Sequence, residues 1–318
     1  MKSSMIIDMK VVNSINSLIS KARIDTRIME VTMTGSDKTK RDNQVILEVL
    51  DSSPAHCCGT SSDSDGIIEE RSIHEFVQDY YAQRANSSTS CCGGGAEPEF
   101  YTPELLVNMP GEVASFSLGC GDPITLARLQ PGEVVLDLGS GGGLDCFLAS
   151  REVGEEGYVV GVDMTPEMLA RARQAAENMA IENVEFRQGY LEDLPVEDHS
   201  VDVIISNCVI NLTPDKPQVF SEMLRTLKPG GRISVSDIVT SGEIPDALRR
   251  DMQAWGACVA GALDMDDYVA ALEGVGFKDV KLVAKSGEGD LLDGIPEANI
   301  FSALITAKKA PEQTLPSD

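Results

Sequence analysis

Val134-Val135-Leu136-Asp137-Leu138-Gly139-Ser140-Gly141-Gly142-Gly143 is an apolar run that breaks into glycine. Branched apolar residues in succession read as a strand buried on both faces, since a parallel sheet covered by helices has no wet side. The glycines let the backbone turn at positive φ and approach a ligand closely. A helix is predicted from about Leu144, and its unpaired N–H groups favour negative charge. Strand, glycine loop and helix in this order open a nucleotide-binding βα unit.

Outward from this unit the alternation continues. Residues 158–164, 184–190, 201–207 and 232–239 read as further strands. Residues 165–180 read as a helix with Thr165 as N-cap and Pro166 at the first helical position. Residues 214–231 read as a helix stopped by Pro229 and the following glycines, and residues 240–278 as helical with Trp255 to Leu263 near the centre. Two closing strands follow at 281–286 and 299–309. Upstream, Ile73, Phe76, Val77 and Tyr80 share one face of a helix over 72–84. Residues 51–66 are small, polar and turn-rich and read as a linker. The alternation predicts a parallel sheet with helices on both faces.

Asp163 ends the second strand, twenty residues after Gly143. A carboxylate there accepts hydrogen bonds from both hydroxyls of a ribose, though it serves equally as a helix cap. The rival ligand is NAD. The loop departs from G-x-G-x-x-G because Leu144 stands where the last glycine belongs, and the strand carries an internal Asp137. That acidic start suits S-adenosylmethionine, whose amino-acid end it helps to orient.

Charge and cysteine content narrow the partners. The 318 residues carry 51 acidic and 26 basic side chains, a net charge of −25. Phosphate backbones and anionic membranes need basic patches, so nucleic acid and membrane partners are excluded. Residues 1–41 are locally basic. They suit a tail resting on the acidic body, a targeting segment (against which their own acids argue), or a stretch upstream of a start at Met29 or Met33. The N-terminus lacks a secretory pattern, and no apolar run approaches the ~20 residues of a membrane span. A reducing cytoplasm is expected, where eight cysteines are thiols, ligands or redox groups rather than a fixed disulfide framework.

Four cysteines stand out: Cys92 in SCCGGG, Cys120 in SLGCGDP, Cys208 in ISNCVINL and Cys258 in WGACVAGAL. Cys208 directly follows the fourth strand, which aims its thiol at the ligand crevice. Thiolates are soft ligands that select soft centres. The C-x₂₋₄-C pairs of a zinc site are absent. Cys146, in the helix after the glycines, reads as a buried small hydrophobe. Cys57-Cys58, beside His56, reads as an accessory pair or a loading site for a soft, thiol-seeking species.

On these segments, residues 72–308 resemble the arsenite methyltransferase family, within the class I S-adenosylmethionine-dependent methyltransferases. The matching stretches are FSLGCGDP, VVLDLGSGGGLDCFLAS, GVDMTPEML, SNCVINLTPDK, LKPGGRISVSDIV and the run from Cys258 to Leu263. Ala260 departs from the glycine usual in the family. The resemblance implies an α/β Rossmann-like methyltransferase sheet over 72–240. It implies a small C-terminal α/β arsenic-binding part over 241–310 carrying Cys258, with an accessory extension at 1–71 and a tail at 311–318.

The same resemblance implies methylation of trivalent arsenic. Cys208 and Cys258 would be permanent arsenic ligands and Cys120 the third. Cys92, or its neighbour Cys91, would pair with Cys120 as a disulfide after turnover, reset by thioredoxin or glutathione. No general base is required, because the arsenic nucleophile carries no proton; His56, His74 and His199 lie outside the matching segments. The expected contacts to S-adenosylmethionine are Asp137, Gly139, Gly141, Asp163, Met164, Leu191, Glu192 and Asn207. Met164 and Trp255 also read as core. Two other functions remain open: a small-molecule C- or O-methyltransferase with incidental cysteines, and an arsenic-binding protein without turnover. No association stripe is visible, and a monomer is expected.

Overall fold

The structure is a computed structural model that describes residues 70–86, 101–114, 119–285 and 299–312. Cys57, Cys58, Cys91 and Cys92 lie outside the described residues, as do the linker, the basic N-terminal segment and the final residues of the tail.

In chain order the helices are α1 (Glu70–Asn86), α2 (Gly111–Ala114), α3 (Pro123–Ala127), α4 (Leu144–Val153), α5 (Pro166–Met179), α6 (Lys216–Thr226), α7 (Asp246–Arg249), α8 (Met252–Gly256) and α9 (Met265–Val275). The strands are β1 (Val134–Leu138), β2 (Tyr158–Asp163), β3 (Val184–Gln188), β4 (Val201–Asn207), β5 (Leu227–Ser241), β6 (Leu263–Asp264), β7 (Lys278–Lys285) and β8 (Asn299–Lys308). They form one sheet in the order β3-β2-β1-β4-β5-β8-β7, with β6 beside the end of β5.

Side chains alternate across β1 and β4, and each set finds its own cover. Val135, Val203 and Ile205 bury against Phe147 and Leu148 of α4 and Leu169 and Ala172 of α5. Leu136, Leu138 and Ile204 bury against Phe220 and Met223 of α6 and Tyr268 and Leu272 of α9. Helices therefore cover both faces, which is why the strands read as unbroken apolar runs.

The chain departs from the sequence expectation in four places. The sheet is mixed: β1 to β5 are parallel, whereas β8 runs antiparallel between β5 and β7. Antiparallel entry needs no crossover helix, so the closing strands pair directly. Thr165 stands at the N-cap of α5, but its side chain makes no cap bond. Helix α6 ends at Thr226, before Pro229, because Leu227 already pairs with Val201 in the sheet.

The fourth departure concerns residues 240–278. These break into α7, α8, β6 and α9, and the Cys258 run is a turn. Cys258 adopts φ +62°, which ends the helical course. Gly261 then lies so close to the Asn211 carbonyl that a Cβ would collide with it. Among the described residues no helix is long and apolar enough to cross a membrane.

Candidate active site

Strand order reverses between β1 and β4, and a ligand crevice forms beyond the carboxyl ends of strands at such a point. A cleft opens there. Gly139 lines it at φ +68°, where a Cβ would overlap Val209, and Gly141 lines it at φ +51°. Glycine is required at both positions for the loop to curl over β1.

Three carboxylates gather at this loop. Asp163 accepts a hydrogen bond from the Gly141 N–H at 2.9 Å and one from the Thr165 N–H at 2.8 Å. It thus ties the glycine loop to the start of α5 while lining the cleft. Asp137 lies 2 % exposed beneath the loop rather than on the cleft wall, and accepts a hydrogen bond from Cys146 Sγ at 3.1 Å. Asp145 lines the cleft; Tyr101 donates to it at 2.6 Å and Asn207 Nδ2 at 3.2 Å. Burial raises all three acids. Asp137 is pushed well up by desolvation and by Asp145, and Asp145 is raised to about 6, chiefly by burial. None has an ion-pair partner among the described residues. Buried carboxylates without a cation favour a ligand that brings positive charge.

The opposite wall comes from α1 and the segment after β3. Leu191 is buried, and Glu192 Oε1 meets His74 Nε2 at 3.0 Å. The His74 ring packs against Tyr190 with centroids 5.0 Å apart. Glu192 Oε2 and Ser140 Oγ are buried without a hydrogen-bond partner, and both residues line the cleft. Met164 lines the cleft too, and its carbonyl accepts from Gln78 of α1. Unsatisfied buried polar atoms are rare, and among the described residues these two belong to residues of the cleft wall.

Beyond the cleft, the cysteines converge. Cys208 follows the last residue of β4, lines the cleft and adopts φ +58°. Cys258 Sγ donates a hydrogen bond to the Cys208 carbonyl at 2.8 Å. Cys120 is joined to Cys208 by a disulfide with Cα atoms 5.9 Å apart. All three pack into one apolar cluster with Trp255, Val77 and Ile238. Cys208 and Cys258 both hold left-handed backbone without being glycine, as do helix-ending residues such as Arg128 and Ala180. Burial, followed by the Asp237 charge, pushes the Cys258 thiol above the usual thiol range. Cys146 is free and buried, as expected, with its contact to Asp137 in addition.

The disulfide differs from the expectation of free thiols and from the Cys92–Cys120 pairing that the resemblance implies. Among the described residues no three His, Cys, Asp or Glu side chains are arranged to hold a metal ion. With Cys120 and Cys208 joined, only Cys258 of the trio is a free thiol.

The chain's relatives carry the same fold and sequence pattern. Residues 129–287 match the family model of a methyltransferase domain. An arsenite methyltransferase from Halobacterium salinarum is 44 % identical over 269 residues, covering 78 % of this chain and 69 % of the relative. One from Aquipseudomonas alcaligenes is 40 % identical, covering 73 % and 70 %. The solved structure of an arsenic(III) S-adenosylmethionine methyltransferase from Chlamydomonas reinhardtii is 37 % identical, with a TM-score of 0.57 over 66 % of this chain and 74 % of that one. The chain belongs to the arsenite methyltransferase family.

This arsenite methyltransferase family member presents residues that fit S-adenosylmethionine, a cation with a sulfonium, an ammonium and a ribose. Asp163 and Asp145 offer carboxylates, Glu192 Oε2 and Ser140 Oγ offer unused polar atoms, and the glycines leave the loop backbone open. His74, Val77 and Tyr81 of α1, together with Asp145, line the cleft although the sequence reading did not select them. The three α1 residues are spaced i, i+3, i+7, and that face was the available signal.

Below Cys258 lies a second polar group that sequence reading missed. Asp237 of β5 is fully buried and raised to about 7 by burial. Lys216 of α6 is buried and lowered to about 8, again by burial; its Nζ donates to the Thr213 carbonyl and lies 5.5 Å from the Trp255 ring. Asn207, expected to contact the cofactor, holds the Cys120 segment: its Oδ1 accepts from the Cys120 N–H at 2.9 Å and its Nδ2 donates to the Gly121 carbonyl at 2.9 Å.

Proposed function

We propose that this protein transfers the methyl group of S-adenosylmethionine to trivalent arsenic bound by cysteine thiolates. When bound, S-adenosylmethionine supplies an electrophilic methyl on a positively charged sulfur. Asp163 would hold the ribose, Asp145 would face the cationic amino-acid end, and Glu192 with Leu191 and Met164 would border the adenine side. Gly139 and Gly141 keep the loop low enough for this approach, and Asp137 braces it from beneath.

Cys208 and Cys258 would hold the arsenic, with Cys120 as the third ligand once its bond to Cys208 is reduced. The observation that carries this reading is the convergence of these three cysteines at the edge of a cleft floored by uncompensated carboxylates. Thiolates raise electron density on arsenic and direct its lone pair toward the methyl carbon. The chain contributes positioning and exclusion of water, which suffice where the nucleophile carries no proton. Transfer raises arsenic to the pentavalent state. Two thiolates return it to the trivalent state by giving up two electrons and joining as a disulfide, and Cys92 with Cys120 fill that role. The observed Cys120–Cys208 bond favours a second pairing in which Cys208 exchanges with Cys120. A thioredoxin- or glutathione-type dithiol or thiol would reopen either bond. The setting would be arsenic detoxification in a reducing cytoplasm, by a monomer.

Arsenic speciation after incubation with arsenite, S-adenosylmethionine and a thiol reductant tests the reading. Methylated arsenic should appear with matching loss of S-adenosylmethionine. Its absence, in protein that binds S-adenosylmethionine, moves the reaction to another acceptor.

A further inference from the structure

Asn207 stands between two sites. Its Nδ2 reaches Tyr101 Oη at 2.9 Å and Asp145 Oδ2 at 3.2 Å on the cleft side. Its Oδ1 receives the Cys120 N–H at 2.9 Å and the Gly121 N–H at 3.3 Å, and its Nδ2 also reaches the Gly121 carbonyl. A Cβ on Gly119 would collide with the same amide, so the Cys120 segment is seated directly on it. The next residue in the chain is Cys208. One side chain thus holds the Cys120 segment, adjoins Cys208 along the chain and is itself bonded to a carboxylate in the cofactor cleft.

Of the carboxylates and histidine on the cleft wall (His74, Asp145, Asp163 and Glu192), Asp145 is the one bonded to Asn207. It is half-buried and lines the cleft, and the two side chains bonded to it, Tyr101 and Asn207, are neutral. In the oxidised chain the disulfide to Cys208 also holds Cys120; once it is reduced, the other holds on Cys120 are a bond from Ser302 Oγ to its carbonyl and a long Sγ contact to Ser236 Oγ. Neither serine lines the cleft.

We propose that Asp145, with Tyr101 and Asn207, couples occupation of the cofactor cleft to capture of arsenic, Asp145 acting as the positioning residue. This rests on the reading of the cleft as the S-adenosylmethionine site and of the cysteines as arsenic ligands. A cation beside Asp145 fixes the ionised carboxylate in place against Tyr101 and Asn207. The ionised form keeps the Tyr101 and Asn207 bonds, and Asn207 then keeps Cys120 facing Cys208. With the cleft empty, Asp145 has no cation to fix it, and Asn207 is held less firmly against the Cys120 segment. Arsenic would accordingly be gathered when the methyl donor is in place. Linkage makes the effect reciprocal.

The test uses full-length protein reduced with a phosphine, which supplies no competing thiol. Arsenite binding is read from the fluorescence of Trp255, the chain's single tryptophan, whose carbonyl accepts the Cys258 N–H. It is titrated with and without S-adenosylhomocysteine, which carries the same ammonium and cannot react. In the wild type, S-adenosylhomocysteine should tighten arsenite binding by ~10-fold, within the usual span of coupled sites. In Asp145→Asn both ligands should still bind while the ratio drops to within about 2-fold of unity. An amide there keeps a single acceptor oxygen, so one of the two donors, Tyr101 or Asn207, meets an N–H in place of an acceptor. Should Asp145→Asn fail to fold, Tyr101→Phe, which removes one hydroxyl, must lower the ratio. A purely structural role would weaken one affinity and leave the ratio unchanged. Coupling retained in both variants, or absent from a wild type that binds both ligands, overturns the proposal. A wild type that binds S-adenosylhomocysteine and no arsenite overturns instead the arsenic reading beneath it.

Discussion

Cys258 Sγ lies 2.8 Å from the carbonyl oxygen of Cys208 and donates to it. The contact joins residues fifty positions apart, each holding left-handed backbone, φ +58° at Cys208 and +62° at Cys258. The turn after β4 and the turn after α8 are both bent out of their ordinary course to bring the two sulfur-bearing residues together. Cys258→Ser keeps the donor and the shape but replaces a soft ligand with a hard one. Its expected effect is loss of methylated product by more than ~100-fold, from lost positioning of the nucleophile, with S-adenosylhomocysteine affinity unchanged. Calorimetry alongside arsenic speciation checks both halves; full activity in the variant would remove Cys258 from the ligand set.

Cys92→Ser should separate two substrates. Arsenite must pass through reduction of a pentavalent product before further methylation, whereas an already methylated trivalent arsenical can accept one methyl without it. The variant should retain methylation of the methylated arsenical and lose that of arsenite. Wild-type behaviour on arsenite would place the redox role elsewhere. Mass spectrometry of disulfide-linked peptides from air-oxidised protein decides between partners: a Cys120–Cys208 peptide in the Cys92→Ser variant is expected, because that pair already meets in the fold.

Most of the nucleotide-binding half was legible because its signals are local. A strand buried on both faces must be apolar throughout, and the glycines of residues 139–143 mark the turn that follows. The ends of β1, β2 and β4 therefore fell near their expected places, as did Asp163 at the end of β2. The Cys258 region was not legible. Its turn is set by a tertiary contact, Gly261 against the Asn211 carbonyl, to which no local periodicity points. Asp145 and Tyr101 escaped for a related reason: they meet across 44 positions, and each alone is an ordinary helix or loop residue. His74 lies outside the matching segments, yet it meets Glu192 across the cleft.

Asp163→Ala removes two bonds at once, the Gly141 N–H and the Thr165 N–H, besides any contact to ribose hydroxyls. Hydrogen bonds to a charged acceptor contribute about 1.5–3 kcal/mol each, so S-adenosylhomocysteine affinity should fall by at least ~10-fold. Asp163→Asn supplies the control, since its carbonyl can still receive one N–H and hold the loop. If both variants bind S-adenosylhomocysteine like the wild type, Asp163 is a cap for α5 and nothing more.

The buried acids give the protein a pH dependence of definite sign. Asp137 and Asp163 are raised, Asp145 is raised to about 6 and Asp237 to about 7, in each case chiefly by burial. A carboxyl whose pKa is higher in the folded chain than in the unfolded one binds more protons when folded. Its contribution is present below the ordinary carboxylate range and is lost as pH rises through the folded value. Glu185 and Glu222, lowered by bonds to Arg187 and Arg225, act in the opposite sense, but only near and below the ordinary range. The ligand-free protein should therefore lose thermal stability between about pH 4 and about pH 7. A cationic ligand favours the ionised form of Asp145, so its binding releases a proton wherever that group is still protonated. S-adenosylhomocysteine should bind more tightly at pH ~7 than at pH ~5, with a slope of up to about one decade per pH unit below 6. Melting temperatures with and without the ligand across this range check both trends. In Asp145→Asn the slope should flatten, and a slope unchanged in that variant would show that another group governs it.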